Sequence, residues 1–420
     1  MLSRIILASY QMSSCILFLP TGIDVLPFLQ MSASPELPKA LKAFCSQNDI
    51  DISEFAHIPL VPRYLRINPR SSLWAVPSED AARKLEDSLQ KGIDEKKTSV
   101  SPSDVRVTPL EWLDDLRVYS VVPRSISIAA SSYYRSGEVY SMDAASMVSV
   151  LALDISPGDC VLDLCCAPGM KTSLIADLLA AKHVESPGLV VGVDASLNRL
   201  FATRSVVQKY DAPRVVLIAG DGTALGDLGS VCLSDDVQSG PHKRHLQKIN
   251  KRLRNGLRAA GDALSNPVLV FKSTDVTCSE LPSSFDRVLV DAECSHDGSI
   301  AHIPDVSGSG EEQLAMHHLA PDEAQSLHDL QLGLLSQGFK LLKPGGRLVY
   351  STCSFARSQN EAIVSEFLSL PEGKQGRLVA APARFRGMSQ PSSLEGCLRL
   401  TPKSSNSSFQ FVACIERVRS

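Results

Sequence analysis

The 420-residue sequence lacks any apolar run near the roughly 18–20 residues that a membrane span requires. Its longest such stretch near the N-terminus, Ile16 to Pro20, is only a fragment, so no membrane partner is expected. Cysteine is sparse, with 11 residues and no C-x-x-C pair, which excludes a disulfide scaffold and argues against a structural zinc site. Reduced thiols in an intracellular compartment are the simplest expectation. A surplus of positive charge is also missing. The net charge of −4 gives no global attraction for nucleic acid, so any such footprint must be local. With 44% hydrophobic and 21% charged residues, the polar bias of a disordered chain is absent too. No internal repeat is found.

What is there divides into parts, as the length leads one to expect. Residues 1–30 are apolar, with Arg4 and Asp24 as their charges, a poor secretory signal and an equally poor arginine-rich transit peptide. They are read as a leader outside the fold, cleaved or, if Met31 is the working start, not translated. As a transit peptide they would send the chain to a mitochondrion or plastid; otherwise nucleus or cytoplasm is expected. Residues 31–125 read as a smaller α+β domain with a helix near 36–46, a strand at Arg63–Ile67, a helix at 79–91 and β-branched runs at 105–110 and 117–122. Across 126–420 apolar strands alternate with helices, the pattern of a parallel sheet with crossover helices. Strands are expected at Cys160–Leu164, Leu189–Val193, Val215–Ile218, Val268–Phe271, Arg287–Val290 and Arg347–Tyr350, and helices at about 171–182, 196–209, 321–342 and 358–369. Late strands near 377–381 and 408–416 would close an antiparallel edge.

One insert, 232–266, breaks the rhythm. Between Pro241 and Gly261 it holds Lys243, Arg244, Lys248, Lys251, Arg252, Arg254 and Arg258 with no acid, and Leu246, Ile249, Leu253 and Leu257 recur at helical spacing. A solvated surface helix, an RNA-contacting arm and a nuclear import signal all fit this basic amphipathic pattern. The RNA reading rests on Lys248, Lys251, Arg252 and Arg254.

After the first expected strand comes a small-residue turn, Cys165-Cys166-Ala167-Pro168-Gly169-Met170-Lys171, and then a helix start. A dinucleotide fingerprint would need three spaced glycines, and a phosphate loop would need an unbroken Gly-Lys-Thr; the turn has neither. Strand-end acids follow in order: Asp163 before the turn, Asp194 after the second strand and Asp221 after the third. Asp194 is placed to accept from both ribose hydroxyls, and Asp221 is within reach of an adenine edge. An adenosyl ligand without a pyrophosphate is implied, and S-adenosyl-L-methionine fits.

Two cysteines also stand at strand ends, Cys294 in Asp291-Ala-Glu-Cys-Ser and Cys353 in Ser351-Thr-Cys-Ser. Most lone cysteines are small buried hydrophobes. Cys353 differs because it lies among hydroxyl residues ahead of an expected helix, whose positive end would favour a thiolate. A thiolate is what cytosine chemistry needs. Its addition to carbon 6 makes an enamine whose carbon 5 attacks a sulfonium methyl, while an acid near ring nitrogen 3 handles the charge.

DLCCAPGMKT, VDAECS and LLKPGGRLVYSTCS, in that order, resemble the Sun (Fmu-type) family of RNA cytosine-5 methyltransferases, as do PRYLRIN and SGEVYSMDAAS upstream. The resemblance spans roughly residues 60–416. It implies a doubly wound, mostly parallel, Rossmann-like methyltransferase sheet with an antiparallel edge strand and a smaller N-terminal RNA-handling domain. By motif it assigns Cys165 to Lys171 to the methionine part of the cofactor, Asp194 to ribose and Asp221 to adenine. Asp291 would face cytosine and cofactor, Cys353 would be the nucleophile, and Cys294 would assist product release. The implied partner is RNA, tRNA or rRNA, met by a monomer. The family usually has proline where Glu293 stands, glycine where His296 and Met170 stand, and alanine where Cys166 stands. Neither Met170 nor Cys166 need face the ligand, but Glu293 adds a negative charge beside the substrate. A catalytically weak RNA-binding relative acting as an RNA or ribosome assembly factor is the alternative. An amino-group methyltransferase is excluded, since no Asp/Asn-Pro-Pro-aromatic motif occurs.

Overall fold

The computed structural model describes residues 39–51, 53–57, 60–93, 100–181, 188–226, 228–231, 233, 267–278, 280–299 and 321–419. Two sheets organise them. The smaller is antiparallel and built from β1 (Arg63–Ile67), β2 (Arg106–Pro109), β3 (Val118–Val122) and β4 (Val139–Ser141), in the order β2-β3-β1-β4. It therefore draws its last strand from beyond residue 125. One face is covered by the helix Ser78–Lys91, whose Ala81, Ala82, Leu85 and Leu89 are buried at the 3- and 4-residue spacing of an amphipathic helix.

The larger sheet has nine strands: β5 (Cys160–Asp163), β6 (Leu189–Asp194), β7 (Val215–Ala219), β8 (Val268–Lys272), β9 (Phe285–Asp291), β10 (Leu342–Thr352), β11 (Gly376–Val379), β12 (Leu398–Leu400) and β13 (Gln410–Arg417). The main path runs β11-β13-β10-β9-β5-β6-β7-β8, and the five strands from β10 to β7 are parallel. Every residue of β6 and β7 is buried, as expected of parallel strands covered on both faces. The helices Ala144–Leu151 and Met170–Ala180 contribute to one core, and Pro321–Lys340 and Glu361–Ser369 to the other, so the sheet is doubly wound.

The expected antiparallel edge is present in β13 and β11. The sequence reading missed a second one. β8 runs against β7, with Ala219 opposite Val268, because the chain returns from the end of the sheet at which β7 finishes. Among the described residues no helix is long and apolar enough to cross a membrane. The basic insert, including Lys248, Lys251, Arg252 and Arg254, lies outside the described residues.

Chain order reverses between β5 and β9, since β6 follows on one side and β9 on the other. Ligands of open α/β sheets bind beyond the strand carboxyl ends at such a switch point. The small sheet is fastened beside it. Asp177, buried on the helix Met170–Ala180, meets Arg66 of β1 at 2.7 Å and Arg70 at 2.8 Å. Removing one partner of such a buried pair costs about 3–5 kcal/mol, because it strands the other charge away from water.

Candidate active site

Beyond the carboxyl ends of the parallel strands lies a cavity of about 750 Å³. It falls within the size range of ligand pockets. Cys165, Ala167, Pro168, Lys171, Asp194 and Asp221 line one part, and Asp291, Glu293, Cys294, His296 and Cys353 another. Arg63, Tyr64 and Arg124 close it from the small-sheet side.

The turn after β5 does not present all its side chains. Cys166 is buried against Gly192, and Met170 packs into the same core, so neither lines the cavity. Gly169 has a backbone role. It caps the following helix at φ 103°, a left-handed conformation, and a Cβ there would come within 2.8 Å of Thr203 Cγ2. Asp163, read as one of three ligand acids, is buried behind the turn. It accepts from Thr172 Oγ1 at 2.7 Å, and burial pushes its carboxyl up to about 7.

Asp194 and Asp221 do reach the cavity. Asp194 accepts from Ser196 N at 2.8 Å and Ala167 N at 3.4 Å, which pins the acid to the turn. Burial raises its pKa, a cost that ligand hydroxyl donors would offset. Asp221 accepts from the Thr223 amide at 2.9 Å and hydroxyl at 2.7 Å, an Asx turn that orients it.

On the other side, Asp291 accepts from Lys171 Nζ at 2.7 Å and Ser351 Oγ at 2.6 Å. Burial lowers the Lys171 ammonium pKa, but the charge and hydrogen bond of Asp291, with Cys353 and Asp163 nearby, raise it overall. Lys171, assigned by motif to the cofactor turn, thus reaches the reactive end. Cys294 and Cys353 meet there, their sulfurs 3.4 Å apart. His296 Nδ1 lies 3.3 Å from Cys353 Sγ and 3.6 Å from Cys294 Sγ.

This pair releases one proton readily and holds the other. A hydrogen bond from the Cys353 thiol, against the effect of burial and helped by His296, lowers Cys294 to about 6. That same bond and burial push Cys353 well above the ordinary thiol range. At 3.4 Å the two sulfurs share the remaining proton, and the thiolate expected at Cys353 falls first on Cys294. The expected helix dipole does not supply it, because the ordered helix begins only at Glu361. Lys171 is the cation that lowers the Cys353 pKa, and the Cys294 contact raises that of the His296 ring.

The two cysteine loops are held together by an acid the sequence reading missed. Asp297 accepts from Phe355 N at 2.6 Å, from Ser354 Oγ at 2.9 Å and from Ser295 Oγ. Gly298 N then donates to Cys353 O at 3.0 Å, and a Cβ on Gly298 would come within 2.5 Å of that oxygen. Orphaned buried donors cost about 1–3 kcal/mol each, so Asp297→Ala is expected to lower stability by roughly 3 kcal/mol. Urea unfolding measures this; a loss under about 1 kcal/mol would mean that other bonds hold the loops. The only sequence signal was its place in a loop after a strand-end motif.

Glu293, expected to crowd the substrate with charge, is 60% exposed and turns to Arg199 at 3.9 Å. Arg199 also donates to Ala167 O at 2.9 Å and sits 3.8 Å from Asp194, so it shares the charge between both acids. His296 holds φ 57°, a left-handed backbone state that suits glycine better than other residues. Its ring is spent on the thiols.

Known proteins resemble the chain along this frame. The family described as 16S rRNA methyltransferase RsmB/F matches residues 150–236 and 250–416. A 5-cytosine rRNA methyltransferase NSUN4 of Xenopus laevis is 32% identical over 242 residues, which is 58% of this chain and 45% of that protein. A multisite-specific tRNA:(cytosine-C(5))-methyltransferase of Saccharomyces cerevisiae is 30% identical over 253 residues, 60% of this chain and 29% of that protein. The chain thus spans less than half the length of these two relatives. The solved methyltransferase homolog protein from Pyrococcus horikoshii superposes with a TM-score of 0.54 over 91% of this chain and all of its own, at 21% identity, and so shares the fold. With the matched residues covering more than half of the sequence and both cysteine strands inside them, the chain belongs to the RsmB/F family of 16S rRNA methyltransferases.

Proposed function

We propose that the chain methylates carbon 5 of a cytosine in RNA, tRNA or rRNA, from S-adenosyl-L-methionine through a covalent Cys353–cytosine intermediate. The observation that carries this reading is the 3.4 Å thiol pair, set on the wall of the cavity that Asp194 and Asp221 also line. The cofactor, when bound, supplies an electrophilic methyl group on a sulfonium. Asp194 would hold its ribose, Asp221 its adenine, and Cys165, Ala167 and Pro168 of the turn its methionine part.

The remaining steps belong to this chain. Cys353 adds as thiolate to carbon 6 of the base, which makes carbon 5 nucleophilic. Lys171, charged beside Asp291, steadies the negative charge that builds on the ring, and Asp291 serves ring nitrogen 3. After methylation Cys294, one sulfur contact away, assists loss of the carbon 5 proton, and the carbon 6–sulfur bond breaks to return the Cys353 thiolate.

RNA would enter from the small-sheet side. Arg63 and Arg124 line that wall, with Arg63 Nε donating to Arg124 O at 2.8 Å. Burial and the like charge of Arg63 lower the Arg124 pKa, a tension that a phosphate between them would relieve. We accordingly assign RNA handling to the small domain, and of the three readings of the basic insert the RNA arm would add phosphate contacts from Lys248, Lys251, Arg252 and Arg254.

Incubating the protein with labelled cofactor and separate tRNA and rRNA fractions, then bisulfite sequencing the acceptor, tests the reading. RNA binding without any transfer would replace it with the assembly-factor role. Asp194→Ala is expected to weaken cofactor binding about ten- to a hundredfold, since charge-assisted bonds contribute roughly 1.5–3 kcal/mol each. Unchanged affinity in calorimetry would move the ribose site elsewhere.

A further inference from the structure

We propose that Cys294, His296 and Cys353 form a binding site for a zinc-class divalent cation, which closes the reactive pocket while the ion is bound. The donor atoms form a triangle with edges of 3.4, 3.3 and 3.6 Å. Tetrahedral zinc, with bonds of about 2.3 Å to sulfur and 2.0–2.1 Å to nitrogen, holds its ligand pairs roughly 3.5–3.8 Å apart. Shifts of a few tenths of an ångström bring these three atoms to that spacing. Two thiolates and an imidazole are a soft donor set that prefers zinc over magnesium or calcium. All three residues line the cavity, so a fourth position opens toward water or a ligand.

His296 makes the difference. Without its ring, two sulfurs and no third donor would remain. The backbone carries His296 in a left-handed state at φ 57°, which glycine occupies without strain, and delivers the ring to both thiols. Binding the ion takes both sulfurs as thiolates, so the proton that the pair still holds goes to solvent, and the Cys353 electron pair then serves the metal instead of the cytosine. That last consequence rests on the assignment of Cys353 as nucleophile; the site itself does not.

The test uses the full chain and the metal alone. Co²⁺ should bind as one equivalent with a thiolate-to-metal charge-transfer band, and Zn²⁺ should displace it. His296→Gly, which relaxes the backbone and so is expected to fold, should weaken Zn²⁺ by at least about tenfold in calorimetry. Cys294→Ser and Cys353→Ser should each diminish the band, with cofactor binding reporting an intact fold. Absence of the band, equal Zn²⁺ affinity in His296→Gly, or a band that persists in the double serine variant would each overturn the site. Zn²⁺ should also inhibit methyl transfer, with recovery on chelation. Zn²⁺ bound by all these measures without inhibition would overturn the closing of the pocket and, with it, the role of Cys353, but would leave the metal site standing.

Discussion

Cys353→Ala is expected to abolish methyl transfer while cofactor affinity stays near that of the native chain. The alanine cannot add to carbon 6, and without that bond carbon 5 remains an unreactive ring position. Asp194 at the end of β6 is three strand spacings from β10, about 14 Å away, so the ribose contact should not register the change. The replaced side chain is small and sits at the cavity wall, which limits the cost to folding. Methyl incorporation into RNA and cofactor calorimetry on one preparation read both halves. Retention of even a tenth of the native turnover would end the covalent assignment.

Cys294→Ala should do the opposite to the intermediate: accumulate it. In this variant Cys353 loses its sulfur partner, but His296 Nδ1, 3.3 Å away, remains to take its proton, so addition and methylation can proceed. What slows is release, because the group that assists loss of the carbon 5 proton has gone. A protein–RNA adduct should then survive a denaturing gel, and adding Cys353→Ala should remove it. An adduct that persisted in the double variant would place the covalent bond on a different residue. Failure to form any adduct with an RNA that the native chain methylates would remove Cys294 from the release step.

Much of the larger sheet was legible because its strands declare themselves by composition. VVGVD, VVLIA and FDRVLV are short apolar runs bounded by turn residues, and they became β6, β7 and β9. Strand direction at the edge was not legible. Val268–Lys272 is as apolar as its parallel neighbours, and local sequence does not encode which way a chain returns to a sheet. The start of the helix after Cys353 was equally obscure, because the residues before Glu361 form only a short 3₁₀ turn.

By itself, the sequence determined which residue types stand at which strand ends. A motif is contiguous, and strand carboxyl ends of one sheet face one way, so Asp194, Asp221, Asp291, Cys294 and Cys353 could be assigned to one side from spacing alone. Only the tertiary structure decided how they meet. Lys171 and Asp291 are 120 positions apart in the chain, yet they share a hydrogen bond. Asp297 joins the loops after β9 and β10, and His296 turns an otherwise glycine-like backbone into a third donor beside two thiols. These contacts depend on the distances between adjacent strands and on which loop folds over which. That information lies in the packing of the sheet and not in any single stretch of the chain.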